Sequence, residues 1–177
     1  PTIETSCLTM DDLAAARAEF GTDDIVIKPS ISAGADGTYL LSAEQPIPFD
    51  VLEREMLIQP MMTSITSEGE FSLFHFGGQF SHTILKTPAS GDFRVQEQFG
   101  GRDVAVDVPD AARALAEAAI AIAPSAPLYA RTDMVRDNDG QFQIMELELI
   151  EPALFLNHAH DKGALFATAV RAAISAG

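Results

Sequence analysis

The segment Asp137-Asn138-Asp139-Gly140 lies between two runs rich in alternating polar and apolar side chains, and it forces the chain to fold back on itself. Asp-Gly supplies the positive φ angles that a two-residue type I′ turn requires. With Asp139-Gly140 as the loop, Asn138 pairs with Gln141, Asp133 lies opposite Glu146, and Arg131 lies opposite Glu148. Directly opposed Cβ atoms stand about 4.5–5.5 Å apart. Side chains alternate between faces with period two, so Glu146 and Glu148 share the face of Asp133 while Met145, Leu147 and Leu149 point to the other, apolar face. The hairpin Tyr129–Leu149 is therefore expected to gather three carboxylates, which repel one another unless something positive neutralises them. A ligand set made only of oxygen suits Mg2+ or Mn2+ better than zinc. The competing reading is an exposed strand face on which Arg131 satisfies Glu148 as a cross-strand ion pair.

Composition narrows the partners. The 177 residues are 47% hydrophobic, enough for one domain or two small lobes, and carry a net charge of −15. With only 11 Lys and Arg and no basic stripe, the chain does not read as a nucleic-acid binder. A single cysteine, Cys7, precludes an intrachain disulfide and fits a reducing, cytoplasmic setting. No apolar run approaches the roughly 20 residues that span a bilayer, and no signal-peptide pattern opens the chain. The start at Pro1, running at once into Thr2-Ile3-Glu4-Thr5 as a strand, leads us to expect the later part of a longer protein.

Along the chain, Thr9 and Asp12 form a capping-box pattern ahead of a helix to Phe20, and Gly21 stands where a C-cap glycine belongs. Ile25-Val26-Ile27-Lys28 reads as a strand ended by Pro29, and Tyr39-Leu40-Leu41 as the next. A short helix is expected over Phe49–Glu55, a strand over Met56–Gln59, and a polar connection over Met61–Gly69. Phe71–Phe76 and Gln79–Lys86 flank Gly77-Gly78, a hairpin turn signal. Thr87–Arg102 reads as irregular, Ala111–Ala123 as a helix opened by Pro109, and Ala164–Ile174 as a terminal helix. Helix and strand alternate first and hairpins dominate later, which predicts an α+β fold with mostly antiparallel sheets.

Lys28 ends an apolar strand and is followed at once by a loop of small residues containing Gly34 and Gly37. A lysine is a compact point charge suited to phosphate, and small residues let backbone N–H groups approach phosphate oxygens. The loop is neither a Walker motif, since no Gly-Lys-Ser/Thr closes it, nor a dinucleotide fingerprint, since its glycine spacing differs. The ordinary alternative is an exposed turn beside a solvated lysine.

Taken in order, Ile25-Val26-Ile27-Lys28-Pro29, the Gly34/Gly37 loop, Gln59-Pro60-Met61-Met62, Gly69-Glu70, Asp92-Phe93-Arg94, Asp133 and Met145-Glu146-Leu147-Glu148 resemble the ATP-grasp superfamily. The branch they resemble most is that of the glutathione synthetase-like and ribosomal-protein-modifying ligases. Within it, Phe71–Gln96 and Glu146-Leu147-Glu148-Leu149-Ile150-Glu151-Pro152 look most like the O-ureido-serine cyclo-ligase group. The resemblance implies two α+β lobes, 1–58 and 59–177, with ATP between them and Mg2+ (or Mn2+) bridging its phosphates.

By similarity, Lys28 would hold the phosphates while the loop Ser32, Ala33, Gly34, Gly37 and Thr38 closes over them. Gln59, Met61 and Met62 would form the adenine-reading hinge, and Glu70 would take the ribose hydroxyls. Asp133, Glu146 and Glu148 would hold the metals, although the family often has Asn where this chain has Glu148. Arg94, helped by Lys86 and Arg131, would steady an acyl phosphate. The activity implied is ATP-dependent joining of a carboxylate to an amine in an amino-acid or peptide-like substrate. A homodimer is compatible with it, and neither nucleic acid nor membrane is expected as a partner.

The family's second phosphate-binding lysine and its N-terminal domain have no counterpart, so we expect roughly the first hundred residues of such a ligase to lie outside this sequence. A non-catalytic nucleotide- or metal-binding module, and a plain acidic interaction domain, are the competing functions. His158-Ala159-His160 has strand-like alternation but no cysteine nearby, and reads as a loop rather than a zinc site. His75 and His82 read as sheet-face residues, with His82 on the face of Lys86.

Overall fold

The computed structural model describes residues 1–32, 34–137 and 139–176. Ala33, expected in the phosphate loop, and Asn138, expected to pair with Gln141, lie outside the described residues. The chain divides into two compact units, Pro1–Met61 and Met62–Gly177, with the division inside the segment read as a hinge.

The first unit is a four-stranded antiparallel sheet in the order β1-β4-β2-β3, formed by β1 (Ile3–Thr5), β2 (Ile25–Pro29), β3 (Tyr39–Leu41) and β4 (Met56–Pro60). Helix α1 (Met10–Phe20) begins with the expected capping box, in which Thr9 and Asp12 satisfy each other's backbone N–H groups. It ends at Gly21 in the left-handed region (φ 66°). Its buried Leu13 and Ala16 pack with Ile25, Ile27, Met56 and Ile58. In β2 burial alternates, so Ile25, Ile27 and Pro29 are buried while Val26 and Lys28 lie on the opposite face. The expected helix over Phe49–Glu55 is only a 3-10 turn at Phe49–Val51, because Pro48 precedes it and Glu53 takes a positive φ of 60° that ends any helix.

The second unit is a five-stranded antiparallel sheet in the order β7-β6-β5-β8-β9. Its strands are β5 (Glu70–Phe76), β6 (Gln79–Thr87), β7 (Arg102–Ala105), β8 (Tyr129–Arg136) and β9 (Phe142–Glu148), and a short helix α2 (Ser64–Ser67) precedes them. Helix α3 (Asp110–Ala121) covers one face through Ala112 and Ala116 against Phe71, Leu73 and Met134. On the other face, α4 (Ala164–Ala176) and the 3-10 turn Leu156–His158 cover only the half carrying Phe74, Phe76 and Ile84. Two sequence-based expectations are corrected. The stretch read as irregular up to Arg102 contributes a strand from Arg102 onward, and Met61–Gly69 contains the α2 turn.

Two β-bulges decide which side chains reach that second face. Pairing leaves the Gly77-Gly78 turn with Phe76 opposite Gln79 and His75 opposite Phe80, then jumps so that Phe74 faces His82 and Glu70 faces Lys86. The extra residue is Ser81, and without it Lys86 would point toward α3. In the last hairpin Arg136 faces Phe142 and Met134 faces Ile144, and then Met145 is passed over so that Asp133 faces Glu146 and Arg131 faces Glu148. The expected two-residue loop is therefore corrected. Asp137 N–H donates to Gln141 C=O, which displaces pairing near the turn by one residue, and the Met145 bulge restores the expected register farther along.

Candidate active site

Each bulge turns its strand over, so Phe80 and Phe142 pack on the α3 side while Lys86, Glu146 and Glu148 face the opposite side. There they meet Glu70, Ser72, Arg131 and Asp133 on the half of the sheet that α4 leaves open. Glu70, Ser72, Lys86 and Asp133 are all buried.

The cluster is ionic. Lys86 Nζ lies 2.5 Å from Glu70 Oε1 and 3.4 Å from Asp133 Oδ2. Arg131 donates from Nε to both Asp133 oxygens at 3.1 Å and from Nη2 to Oδ2 at 2.9 Å, and it also donates across the hairpin to Glu148 Oε1. Ser72 Oγ donates to Asp133 Oδ1 at 2.5 Å. Four carboxylates thus share two basic side chains, leaving two negative charges when all are ionised. Burial acts first on Glu70 and pushes its carboxyl up to about 7, against the pull of the Lys86 ammonium. For Asp133, Lys86 and Arg131 outweigh burial and hold the carboxyl below its usual range. The lysine and the guanidinium are raised in turn by these carboxylates, in spite of burial.

Ligand oxygens of Asp133, Glu146 and Glu148 lie within 4.8 Å of one another, the group of metal-type ligands that converges among the described residues. Oxygens facing each other across a Mg2+ ion are about 4.2 Å apart, given bonds of 2.0–2.1 Å. Small rotamer adjustments close that difference, and the two surplus negative charges equal the charge of one divalent ion. The donor set fits Mg2+ or Mn2+. The competing picture of an Arg131–Glu148 ion pair is also present, so the two readings describe one cluster.

The other expected site residues fall into three places. In the first unit Lys28 pairs with Leu57 and Gln59 with Val26, which puts Lys28 and Gln59 on one face, and Gln59 Nε2 donates to Thr2 Oγ1 at 2.8 Å. Met61 N–H donates to Asp24 C=O at 3.1 Å, so that backbone donor of the expected hinge is already used, and Met62 begins the second unit. Gly34, Ala35 and Gly37 all take positive φ, and Thr38 N–H closes a turn onto Ala35 C=O, with Ser32 leading in. A Cβ on Gly37 would come within 2.9 Å of the Pro29 ring, so the tight turn needs glycine there. Arg94 is held by Asp92 and Phe99 in the segment before β7. Asp92 grips it at 2.8 and 3.1 Å, and its guanidinium stacks 3.7 Å above the Phe99 ring.

His82 shares the face of Lys86 and stacks on Phe74 at 4.3 Å, while His158 pairs with Asp103, the cross-strand neighbour of Lys86. These histidines and His160 line a cleft of about 430 Å3 along β6, and they do not converge as metal ligands among the described residues. Sequence reasoning missed Ser72 and Asp103, both of which act through partners more than 50 residues away.

No family model matches the chain. It is 31% identical over 173 residues to the cycloserine biosynthesis protein DcsG of Streptomyces lavendulae, covering 90% of this chain and 57% of that protein. The crystal structure of D-cycloserine synthetase DcsG superposes with a TM-score of 0.79 at 28% identity, over 96% of this chain and 63% of that one. The chain shares its fold with ATP-grasp ligases of known structure. An ATP-grasp ligase, PsnB, solved with minimal precursor, Mg and ADP (TM-score 0.68, 16% identity, 97% of this chain and 52% of that chain), has the same fold. So does a D-alanine–D-alanine ligase from Bacillus anthracis (0.67, 16%, 100% and 64%). The chain thus spans little more than half the length of the curated relative it matches. No described helix is long and apolar enough to cross a membrane.

Proposed function

We propose that the protein containing this chain is an ATP- and Mg2+-dependent ligase that joins a carboxylate to an amine in an amino-acid or peptide-like substrate. The observation that carries the reading is the convergence of Asp133, Glu146 and Glu148 with Lys86 and Arg131 threaded between them. The similarity to DcsG, named a D-cycloserine synthetase, supports the substrate class.

In this reading a substrate carboxylate attacks the γ-phosphorus of ATP and ADP departs, leaving an acyl phosphate that an amine then attacks with loss of phosphate. Bound metal supplies charge neutralisation at the phosphate oxygens. Asp133, Glu146 and Glu148 hold it. Lys86 and Arg131, displaced from the carboxylates they grip, turn their charge to the transferring phosphoryl group and the acyl phosphate. Lys28, with the loop Ser32–Thr38, cradles the nucleotide phosphates, Gln59, Met61 and Met62 bound its adenine, and Glu70 takes its ribose hydroxyls. Arg94 acts from its Asp92–Phe99 seat as a fixed cation near substrate. The reaction needs no nucleophilic side chain, which agrees with Cys7 being an exposed residue remote in sequence from the cluster.

Calorimetry with a non-hydrolysable ATP analogue and Mg2+ tests the reading. Micromolar binding that Glu146→Gln abolishes supports it, and no binding at any Mg2+ concentration refutes it. ADP release dependent on an added amino acid then separates a ligase from a mere nucleotide-binding module.

A further inference from the structure

We infer that Ser72 is a positioning residue that orients Asp133 for metal binding, an assignment that rests on the metal reading above. Ser72 is fully buried in the middle of β5, directly opposite Asp133 on β8. Its Oγ–H donates to Asp133 Oδ1 at 2.5 Å. A hydroxyl in a strand whose residues are all buried costs free energy unless it has a partner. The buried hydroxyls of Thr83 and Thr132, on the opposite face, have no hydrogen-bond partner among the described residues. Ser72 differs from them in spending its donor on a candidate metal ligand.

Charge separates Ser72 from the other donors to that carboxylate. Arg131 and Lys86 reach Oδ2 at 2.9 and 3.4 Å, and Arg131 Nε also touches Oδ1. Both are cations, and a divalent ion arriving at Asp133 repels them at contact range. The neutral hydroxyl suffers no such repulsion, and a carboxylate polarised by metal remains a strong acceptor. Of the donors to Asp133, Ser72 is therefore the one that stays when metal binds. It fixes the carboxylate plane, and so the direction in which the remaining lone pairs point toward Glu146 and Glu148. Outer-shell donors of this kind typically change metal affinity by about 10–100-fold.

The test uses the full-length protein with Mn2+ alone as probe, its affinity read by electron paramagnetic resonance of free Mn2+ and its site geometry by the bound-ion spectrum. Ser72→Ala is expected to weaken Mn2+ binding by about 10–100-fold and to alter the bound spectrum, with the metal-free protein melting close to wild type. Ser72→Thr, which keeps the hydroxyl, is expected to restore affinity to within about threefold. Should Ser72→Ala not fold, Ser72→Cys, close in shape but a weak donor, is read in the same way. Wild-type affinity in the alanine or cysteine variant overturns the assignment, as does a folded threonine variant as weak as alanine. Either result leaves intact the difference between wild type and Glu146→Gln. If the wild type itself takes up no Mn2+, the metal reading falls, and Ser72 with it.

Discussion

Arg131 reaches across the last hairpin to donate to Glu148, and the same guanidinium holds Asp133 at 2.9 Å. Two of the three candidate metal ligands are thus bridged by one half-buried cation, with Lys86 adding a second at Asp133.

This arrangement makes Arg131 the counter-ion of the metal-free site. Removing one partner of a buried ion pair leaves uncompensated charge, typically at about 3–5 kcal/mol. Arg131→Gln should therefore lower metal-free stability by that order, measured by urea denaturation with chelator present. The same change removes a cation that metal must displace, so Mn2+ should bind at least as tightly as to wild type and should recover most of the lost stability. A variant that loses stability and Mn2+ affinity together would show that Arg131 shapes the site instead of guarding it.

Gly69 leads into β5 at φ 119°, and a Cβ there would stand 2.5 Å from the carbonyl oxygen of Lys86. Gly69→Ala must push β5 away from β6 at the Glu70–Lys86 pair. A cost of about 1–3 kcal/mol from backbone strain, with a further loss from the ion pair, should appear in thermal denaturation. Gly78→Ala is the control: φ is 77° but nothing lies within 4 Å of the added carbon. Gly69→Ala should be clearly the more damaging of the two.

How much of this was legible beforehand depended on how local the chemistry is. The Thr9–Asp12 capping box and the Gly21 cap involve residues a few positions apart and form as read. The opposition of Asp133 and Glu146 also forms, though by a different route: the turn closes one residue away from the expected place, and the Met145 bulge compensates. Bulges leave little mark in a single sequence, because their cause is packing. Here Phe142 turns inward, edge-on to Phe71 with ring centres 5.4 Å apart, while Glu146 turns outward. Strand β7 was missed because it is a short edge strand, largely exposed. Ser72 was missed because it looks like any small residue in a buried strand until Asp133, 61 residues on, is placed beside it.

Glu70 gives a pH signature. Burial raises its carboxyl to about 7 in the folded, metal-free protein, from an ordinary value of 4.5. The folded state therefore binds this proton more tightly than the unfolded one, so the stability it contributes is full below pH 4.5 and is lost as pH rises through about 7. Relative to wild type, Glu70→Gln should grow more stable between pH 5 and pH 8, by on the order of 3 kcal/mol at most. Selective 13C labelling of the glutamate carboxyls should show a resonance titrating near neutrality, which Mg2+ moves downward because the ion favours the charged form. A resonance titrating in the ordinary carboxylate range would contradict the burial argument.

His75 should give the opposite slope. It lies 2% exposed on the α3 side of β5, edge-on to Phe80 at 5.5 Å, and neither ring nitrogen has a hydrogen-bond partner among the described residues. Burial lowers its pKa below 6.5. Of the two charged groups of α3 that act on it, Glu117 opposes the shift and Arg113 adds to it. The neutral ring is the form that folds, so its stability is full above pH 6.5 and is lost as pH falls below that value. His82 is lowered too, with burial again the leading cause, and adds to the same acid-side loss. Urea denaturation at pH 7.5 and 5.5 should show wild type losing up to about 1.4 kcal/mol per pH unit for each such histidine. His75→Phe, which keeps the ring and cannot take the proton, should remove the share belonging to His75 and leave that of His82. An unchanged acid slope in His75→Phe would mean that His75 gains a partner on protonation that the packing against Phe80 does not provide.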